Sequence, residues 1–451
     1  MKLKFLNNSR KHLQLLLIVF LALSLKVNSN LRDDRLFSEK ANGSEIISLN
    51  IDYKNGCSEL CLIGAKYDTH KSSQRKNVSS YRHCHPYTLF YESLFKNMKD
   101  DPLNIAELGI LYGASLRMWR EYFINANLYG FDYDINLINS YLKNFNTEQT
   151  VLREINVSDK NNIIETFEGL RQQFDLIIED TTHEFEDQIR VIESVYPYLK
   201  PGGMLIIEDI FKSYSEKDYI DRLKPILNEF QDCYFVTLDH ENRSSTGWDN
   251  DKLFILVKAG ADPIFKNRNK ITIITPCCRP TNLIKLKESI DFRYVDEWII
   301  VYDGTKIYEN PNTFQSEKNN KIKEYVYAGN GISGNAQRNF ALDQIKNEDT
   351  YLYFLDDDNL IHSDFYKLLK VIDDGKIYTF NQENRLIGNM IQAGLIDTAM
   401  FLIPYKLCKN IRWIEDRYDA DGCYITECYN NNKNKWIFIN NVLSSYNILN
   451  K

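Results

Sequence analysis

The sequence predicts an α/β protein built from two doubly wound units in tandem, and three observations lead there. The chain has 451 residues, which at ~100–200 residues per domain means two or three folded units. From Leu103 onward, short apolar runs alternate with helical stretches, the rhythm of a parallel sheet with helices on both faces. Between Lys258 and Lys270 that rhythm breaks at Ala259-Gly260-Ala261-Asp262-Pro263 and a basic stretch, then starts again. These breaks divide the chain into a targeting segment (1–30), a polar linker or stalk (31–84), a first domain (85–260) and a second domain (268–451).

Composition sets outer bounds. Hydrophobic residues make up 43% of the chain and aromatic residues 13%, enough for large cores, which excludes disorder and small disulfide scaffolds. With 55 basic and 62 acidic residues the net charge is −7. A protein living on nucleic-acid phosphates would carry the opposite balance, so no nucleic-acid partner is expected. Nine cysteines form an odd count, and Cys277-Cys278 adjoin inside an apolar run, so no disulfide framework is implied.

The first twelve residues carry Lys2, Lys4, Arg10, Lys11 and His12 without an acid, and Leu13 to Leu25 follow as almost purely apolar positions. This is a targeting pattern, too short for the ~20 residues that span hydrocarbon comfortably. A signal peptide cut near Ser29 and a short signal anchor both fit. They imply a secretory or membrane-anchored protein, attached through residues 13–25 in the second case, with a cytoplasmic body as the alternative. Cys57, Cys61 and the run His83-Cys84-His85 lie in or beside the polar stretch, with spacing that fits no standard zinc finger.

In the first domain the opening strand ends in Glu107-Leu108-Gly109-Ile110-Leu111-Tyr112-Gly113. Glycines there let the backbone turn tightly and approach a ligand before a helix opens. The next strand ends at Gly130-Phe131-Asp132, placing a carboxylate where a ribose hydroxyl can be held. Phe174 to Ile178 then runs into Glu179-Asp180-Thr181-Thr182-His183, and Lys200-Pro201-Gly202-Gly203 opens a strand ending in Glu208-Asp209. Two strands thus deliver acids to one edge of the sheet, where ligands bind such folds. Solvated strand-end acids are the plainer reading of the same residues. A dinucleotide oxidoreductase ranks lower, because the third glycine of G-x-G-x-x-G is missing.

The Lys-Pro-Gly-Gly turn resembles the start of the fifth strand in class I S-adenosylmethionine (SAM) methyltransferases. The acidic strand ends with a histidine resemble the metal-dependent sugar O-methyltransferases of macrolide biosynthesis, the macrocin and mycinamicin type, over roughly residues 85–258. The resemblance implies that Glu107, Gly109, Gly113 and Asp132 contact SAM, that Asp180, Glu208 and Asp209 ligate a magnesium-like ion, and that His183 is the base. There is one departure: the family usually has a second Asp where Glu179 stands and Gly or Ala where Thr181 stands. The chemistry agrees, since a sugar hydroxyl is a poor nucleophile and needs a base, a metal or both.

The second domain opens with the β-branched run Lys270 to Thr275, capped by Pro276 and followed by Arg279-Pro280. A second strand ends in Asp303-Gly304, Gly331 to Asn339 opens a helix containing Arg338, and Tyr351 to Leu355 ends in Asp356-Asp357-Asp358. Three adjacent carboxylates repel one another, and a magnesium or manganese ion bridging a diphosphate is the economical partner. An acidic helix cap would need only one of them. The arrangement resembles GT-A glycosyltransferases, most broadly family 2, and shares features with the animal β-glucuronosyltransferases, over residues 270 to about 440. It implies that Thr275, Pro276, Arg279 and Asp303 line a nucleotide pocket, that Arg338 faces the diphosphate and that Asp356, Asp357 and Asp358 hold the metal. For the base, Glu415, Asp416, Asp419 and Asp421 compete. Asp421 is chosen because Asp421-Gly422-Cys423-Tyr424 resembles that family's acid-then-aromatic helix start. Trp413 and Tyr418 stack an acceptor sugar or pack in the core.

Together these readings imply a bifunctional enzyme that transfers a sugar from a nucleotide-sugar donor, a UDP-sugar first, and methylates a hydroxyl of a glycan or glycoconjugate acceptor with SAM. A glycosyltransferase carrying an inactive methyltransferase-like scaffold is the alternative, and a glycan-binding protein without activity is the third reading.

Overall fold

In a computed structural model of the chain, the structure describes residues 38–41, 44–75, 83–134, 136, 148–245, 247–265, 269–307, 313–314, 319–372 and 375–450. The targeting segment expected over residues 1–30 lies outside them. Among the described residues no helix is long and apolar enough to cross a membrane.

Among the described residues sixteen strands join into one sheet, and the short pieces His83–Cys84 and Ser244–Ser245 pair separately. Strands β1 (Ser38–Ala41) and β2 (Ser44–Asp52) are followed by helices α1 (Glu59–Lys66) and α2 (Tyr87–Phe95). The first α/β unit contains β3 (Asn104–Leu108), α3 (Ala114–Tyr122), β4 (Asn127–Asp132), β5 (Thr150–Glu154), α4 (Lys160–Leu170), β6 (Phe174–Glu179), α5 (Phe185–Val195), β7 (Leu199–Ile207), β8 (Phe230–Asp239) and β9 (Lys252–Lys258). The second contains β10 (Ile271–Cys277), β11 (Val295–Asp303), β12 (Ile322–Tyr327), α6 (Asn335–Leu342), β13 (Tyr351–Phe354), β14 (Ile377–Gln382), β15 (Phe401–Pro404), α7 (Ala420–Asn430) and β16 (Trp436–Ser444). Across the sheet the order is β12-β11-β10-β13-β15-β14-β16-β2-β8-β9-β7-β6-β3-β4-β5, with β1 on β2.

Two parallel blocks anchor this order. β7, β6, β3, β4 and β5 are parallel neighbours, as are β13, β10, β11 and β12. All six residues of β6 and all seven of β10 are buried, as expected of parallel strands covered on both faces. The amphipathic helices cover them: α3 buries Leu116, Met118, Trp119 and Tyr122.

The polar stretch 31–84 is corrected here. Its middle is not a linker but the seam of the molecule: β2 pairs parallel with β8 on one side and antiparallel with β16 on the other, through Phe438↔Asp52 and Ile439↔Ile51. Ile47, Leu49 and Ile51 alternate along it and enter one apolar core, while Ile46 enters another. The first core runs on from Leu176 and Met204 of the first unit to Ile273 and Trp298 of the second. The two units therefore share a sheet and a core.

Candidate functional site

The carboxyl ends of β3, β4, β6 and β7 meet at a cavity of about 610 Å³, lined among others by Gly109, Asp132, Asp180, His183 and Asp209. The loop after β3 forms its floor. Gly109 has φ 86°, and a Cβ there would stand 1.9 Å from the Asp180 carbonyl oxygen, so only glycine fits. Asp132 shapes the same loop: its Oδ2 accepts from the backbone N–H groups of Ile110 (3.0 Å) and Leu111 (2.8 Å). Two residues expected to touch a cofactor stand behind the wall. Gly113 is the left-handed N-cap of α3 (φ 72°), and Glu107 is buried, accepting from the Ser115 hydroxyl at 2.9 Å.

Opposite the glycine loop, Asp180, His183 and Asp209 bring one ligand atom each within 4.8 Å of one another, among the described residues the one such group of His, Cys, Asp or Glu. His183 Nε2 lies 3.5 Å from Asp209 Oδ2. Both have left-handed backbones, φ 61° for His183 and 55° for Asp209. Residues other than glycine adopt that region only where surrounding structure enforces it, commonly at functional sites. Burial alone would raise the Asp209 carboxyl, but nearby His85 and His183 and a hydrogen bond from Tyr87 hold it below its ordinary value. The two carboxylates suit a divalent ion, with the His183 imidazole beside it, and such an ion would polarise a bound hydroxyl and stabilise its anion.

Glu208, expected as a third ligand, does not fit that set. Its Oε1 accepts the Tyr91 hydroxyl (2.6 Å) and its Oε2 accepts Lys71 Nζ (2.5 Å). Glu179 is also turned inward, fully buried and bonded to Thr181, so its extra length does not crowd the ion's place.

The unit that holds this cavity has similar regions among known proteins. The family model described as "Methyltransferase domain" matches residues 106–210. Residues 106–210 carry a methyltransferase domain. The chain is 24% identical over 157 residues to demethylmacrocin O-methyltransferase of Streptomyces fradiae, covering 33% of this chain and 38% of that protein. It is 23% identical over 158 residues to mycinamicin VI 2''-O-methyltransferase of Micromonospora griseorubida, covering 33% and 37%. The match thus spans less than half the length of these relatives. A solved structure of the MycE methyltransferase from the mycinamycin biosynthetic pathway, in complex with Mg and SAH, is 18% identical with a TM-score of 0.32, covering 46% of this chain and 56% of that one.

The cavity takes further lining residues, Lys71 and His85, from the polar stretch that precedes this domain. Helix α1 starts at Ser58, whose hydroxyl accepts from Cys61 N–H. Gly64 lets the returning loop lie on the helix, since a Cβ there would stand 2.9 Å from Ser72 Cβ. Ser72 Oγ donates to the Cys61 carbonyl at 2.7 Å, and Thr88 N–H donates to the Lys71 carbonyl at 3.1 Å. The result aims Lys71, 3% exposed, at the acidic strand ends. Burial opposes its charge, but Asp180, Glu208 and Glu107 outweigh that and hold its pKa well above the ordinary value. His85 comes from the same side: its Nδ1 lies 2.7 Å from Asp251 Oδ1 and its Nε2 3.6 Å from Asp209 Oδ1. The alternation of Ile47, Leu49 and Ile51 was the signal available for β2; nothing in a lone lysine marks Lys71.

In the second unit a cavity of about 280 Å³ is lined by Pro276, Arg279, Asp303, Arg338, Asp356, Asp357, Asp358 and Asp421. Thr275 does not reach it: it is fully buried, its hydroxyl accepting from Trp298 Nε1 at 3.0 Å. Gly334 (φ 79°) starts α6 against the end of β10, where a Cβ would stand 2.5 Å from Pro276 Cβ. The three aspartates do not converge as a metal-binding set. Asp357, 1% exposed, accepts from the backbone N–H groups of Cys278 and Arg279, each at 2.7 Å, and so fixes the loop after β10. Asp358 accepts Arg279 Nη2 at 2.8 Å, and Asp356 is paired with Arg338. Protein guanidinium groups therefore offset the charge that a cation was expected to offset.

Of the four base candidates, Asp421 faces this cavity. Burial pushes its carboxyl up to about 7, against the hydrogen bond from Gly422 N–H, and nearby Asp397 adds to the rise. Asp419 instead pairs with Arg417. Trp413 is core: 2% exposed, stacked on Tyr424 at 4.9 Å and lying under the Arg338 guanidinium at 4.5 Å. Tyr418 is 83% exposed at the cavity mouth.

Proposed function

We propose that the chain is a glycan-modifying enzyme whose first half transfers the methyl group of SAM to a sugar hydroxyl. The observation that carries this reading is the juxtaposition of the glycine loop and Asp132 with Asp180, His183 and Asp209 around one cavity. Donor and acceptor can then meet at one place, which by itself removes much of the entropic barrier. Asp132 and Gly109 lie on the donor's side. On the other, His183 takes the hydroxyl proton, and a divalent ion at Asp180 and Asp209 would lower the cost of the alkoxide. The similarity to two sugar O-methyltransferases supports a glycoside as acceptor.

The second cavity favours an added activity, transfer of a sugar from a nucleotide-sugar donor. Arg279 and Arg338 provide guanidinium groups for a diphosphate, and the raised carboxyl of Asp421 is suited to accepting a proton near neutral pH. No metal step is assigned there, because the aspartates are paired with arginines.

The test is incubation of the full chain with methyl-labelled SAM, magnesium and a panel of glycosides, and separately with UDP-sugars. Label in a sugar methyl ether supports methyl transfer. SAM bound with no glycoside labelled favours a scaffold, and nucleotide released from a UDP-sugar then assigns the activity to the second half.

A further inference from the structure

Two of the three carboxylates that the resemblance assigns to a divalent ion, Asp180 and Glu208, are already bonded to a lysine. Lys71 Nζ donates to Asp180 and, at 2.5 Å, to Glu208 Oε2, and it lies 3.3 Å from Glu107 Oε1. The second oxygen of Glu208 is taken by the Tyr91 hydroxyl. The side chains of Lys71 and Glu208 are 3% and 1% exposed, so bulk water does not screen their charges. A divalent ion between Asp180 and Glu208 would meet the ammonium at close range, where like charges repel far more strongly than in water. The lysine cannot easily withdraw, because the hydrogen bonds of Ser72 and Thr88 pin its loop to α1 and α2.

We propose that Lys71 is the resident cation of the Glu107–Asp180–Glu208 cluster, standing where an ion bridging Asp180 and Glu208 would stand, so that Glu208 is not a metal ligand in this chain. Lys71 is then a positioning residue that fixes Asp180 at the cavity edge. The inference goes beyond methyl transfer and holds whether or not that activity is found, because its test reads ion binding alone.

The experiment counts Mn²⁺ bound per full-length chain, from the electron paramagnetic resonance signal of the free ion. It compares wild type with Glu208→Gln, Lys71→Ala, Lys71→Arg and the double variant Lys71→Ala/Glu208→Gln. Wild type, Glu208→Gln and Lys71→Arg are expected to bind the same number of ions with equal affinity. Lys71→Ala is expected to bind one more, and the double variant to lose it. Removing a charge from a buried cluster can unfold the domain, so circular dichroism accompanies each variant. If Lys71→Ala does not fold, wild type against Glu208→Gln decides alone, with equal binding upholding the proposal. It is overturned if Glu208→Gln weakens Mn²⁺ binding by about tenfold or more, the scale on which groups supporting a metal site act, or if folded Lys71→Ala gains no ion.

Discussion

Thr181 donates both its backbone N–H, at 3.1 Å, and its hydroxyl to one oxygen of Glu179 across the turn that leaves β6. These are the two positions singled out in the sequence as departures from the pattern it resembles, and their side chains are in contact. A longer acid reaches back under its own turn, and a hydroxyl two residues on receives it.

Burial pushes the Glu179 carboxyl up from 4.5 to about 7, although the Thr181 hydrogen bonds work against the rise. The folded chain thus keeps a proton that the unfolded chain releases. This contribution to stability is full below pH 4.5 and is lost as pH rises through 7. Glu179→Gln should remove that slope, shrinking the change in unfolding free energy between pH 5 and 8 by up to about 3 kcal/mol. Urea unfolding at a series of pH values checks it; parallel curves for the two proteins would contradict it.

Asp132 holds the glycine loop by two backbone amides, so Asp132→Ala removes both a candidate ribose partner and the loop's brace. At about 1.5–3 kcal/mol for a hydrogen bond to a charged group, SAM affinity should fall ten- to a hundredfold in calorimetry. Folding, read by circular dichroism, should be retained.

His183→Ala should act on chemistry and not on donor binding. Loss of a proton acceptor costs about 10²–10⁴-fold in rate, so the turnover of methyl transfer should drop by that range while SAM affinity stays within about twofold. A large loss of SAM affinity would place His183 in the donor pocket instead.

Ile51 is 5% exposed at the seam and registers with Ile439 across β2 and β16. Ile51→Asp buries a charge without a partner. Because both halves share this seam, differential scanning calorimetry should show both melting at lower temperature. A shift confined to one of two separate transitions would contradict the shared core.

Much of the architecture was legible because buried parallel strands leave a strong trace. Ile-Thr-Ile-Ile-Thr in β10 is β-branched and Leu-Ile-Ile in β6 is apolar whichever face is considered, and Gly109 marks a turn that only glycine can make. The seam was missed because Ser44–Asp52 is half polar and its partners lie 180 to 390 residues away in sequence. In the sites, local motifs pointed to Asp180, His183, Asp209, Arg279 and Asp421, which line the two cavities. They did not reveal which cation faces each acid: Lys71 reaches Glu208 across 137 residues, and Arg338 reaches Asp356, in the loop after β13, from helix α6. Charge repulsion among neighbouring carboxylates was a sound inference; that the counter-charge is a metal was not required by it.

Calorimetric titration of SAM into the full chain, beside a Gly109→Val variant, tests the central claim most directly. The cavity between the glycine loop and the acidic strand ends should bind one SAM per chain in the wild type, and the variant, its loop forced off the Asp180 carbonyl, should bind none. No heat with the folded wild type, or equal binding by both proteins, would contradict it.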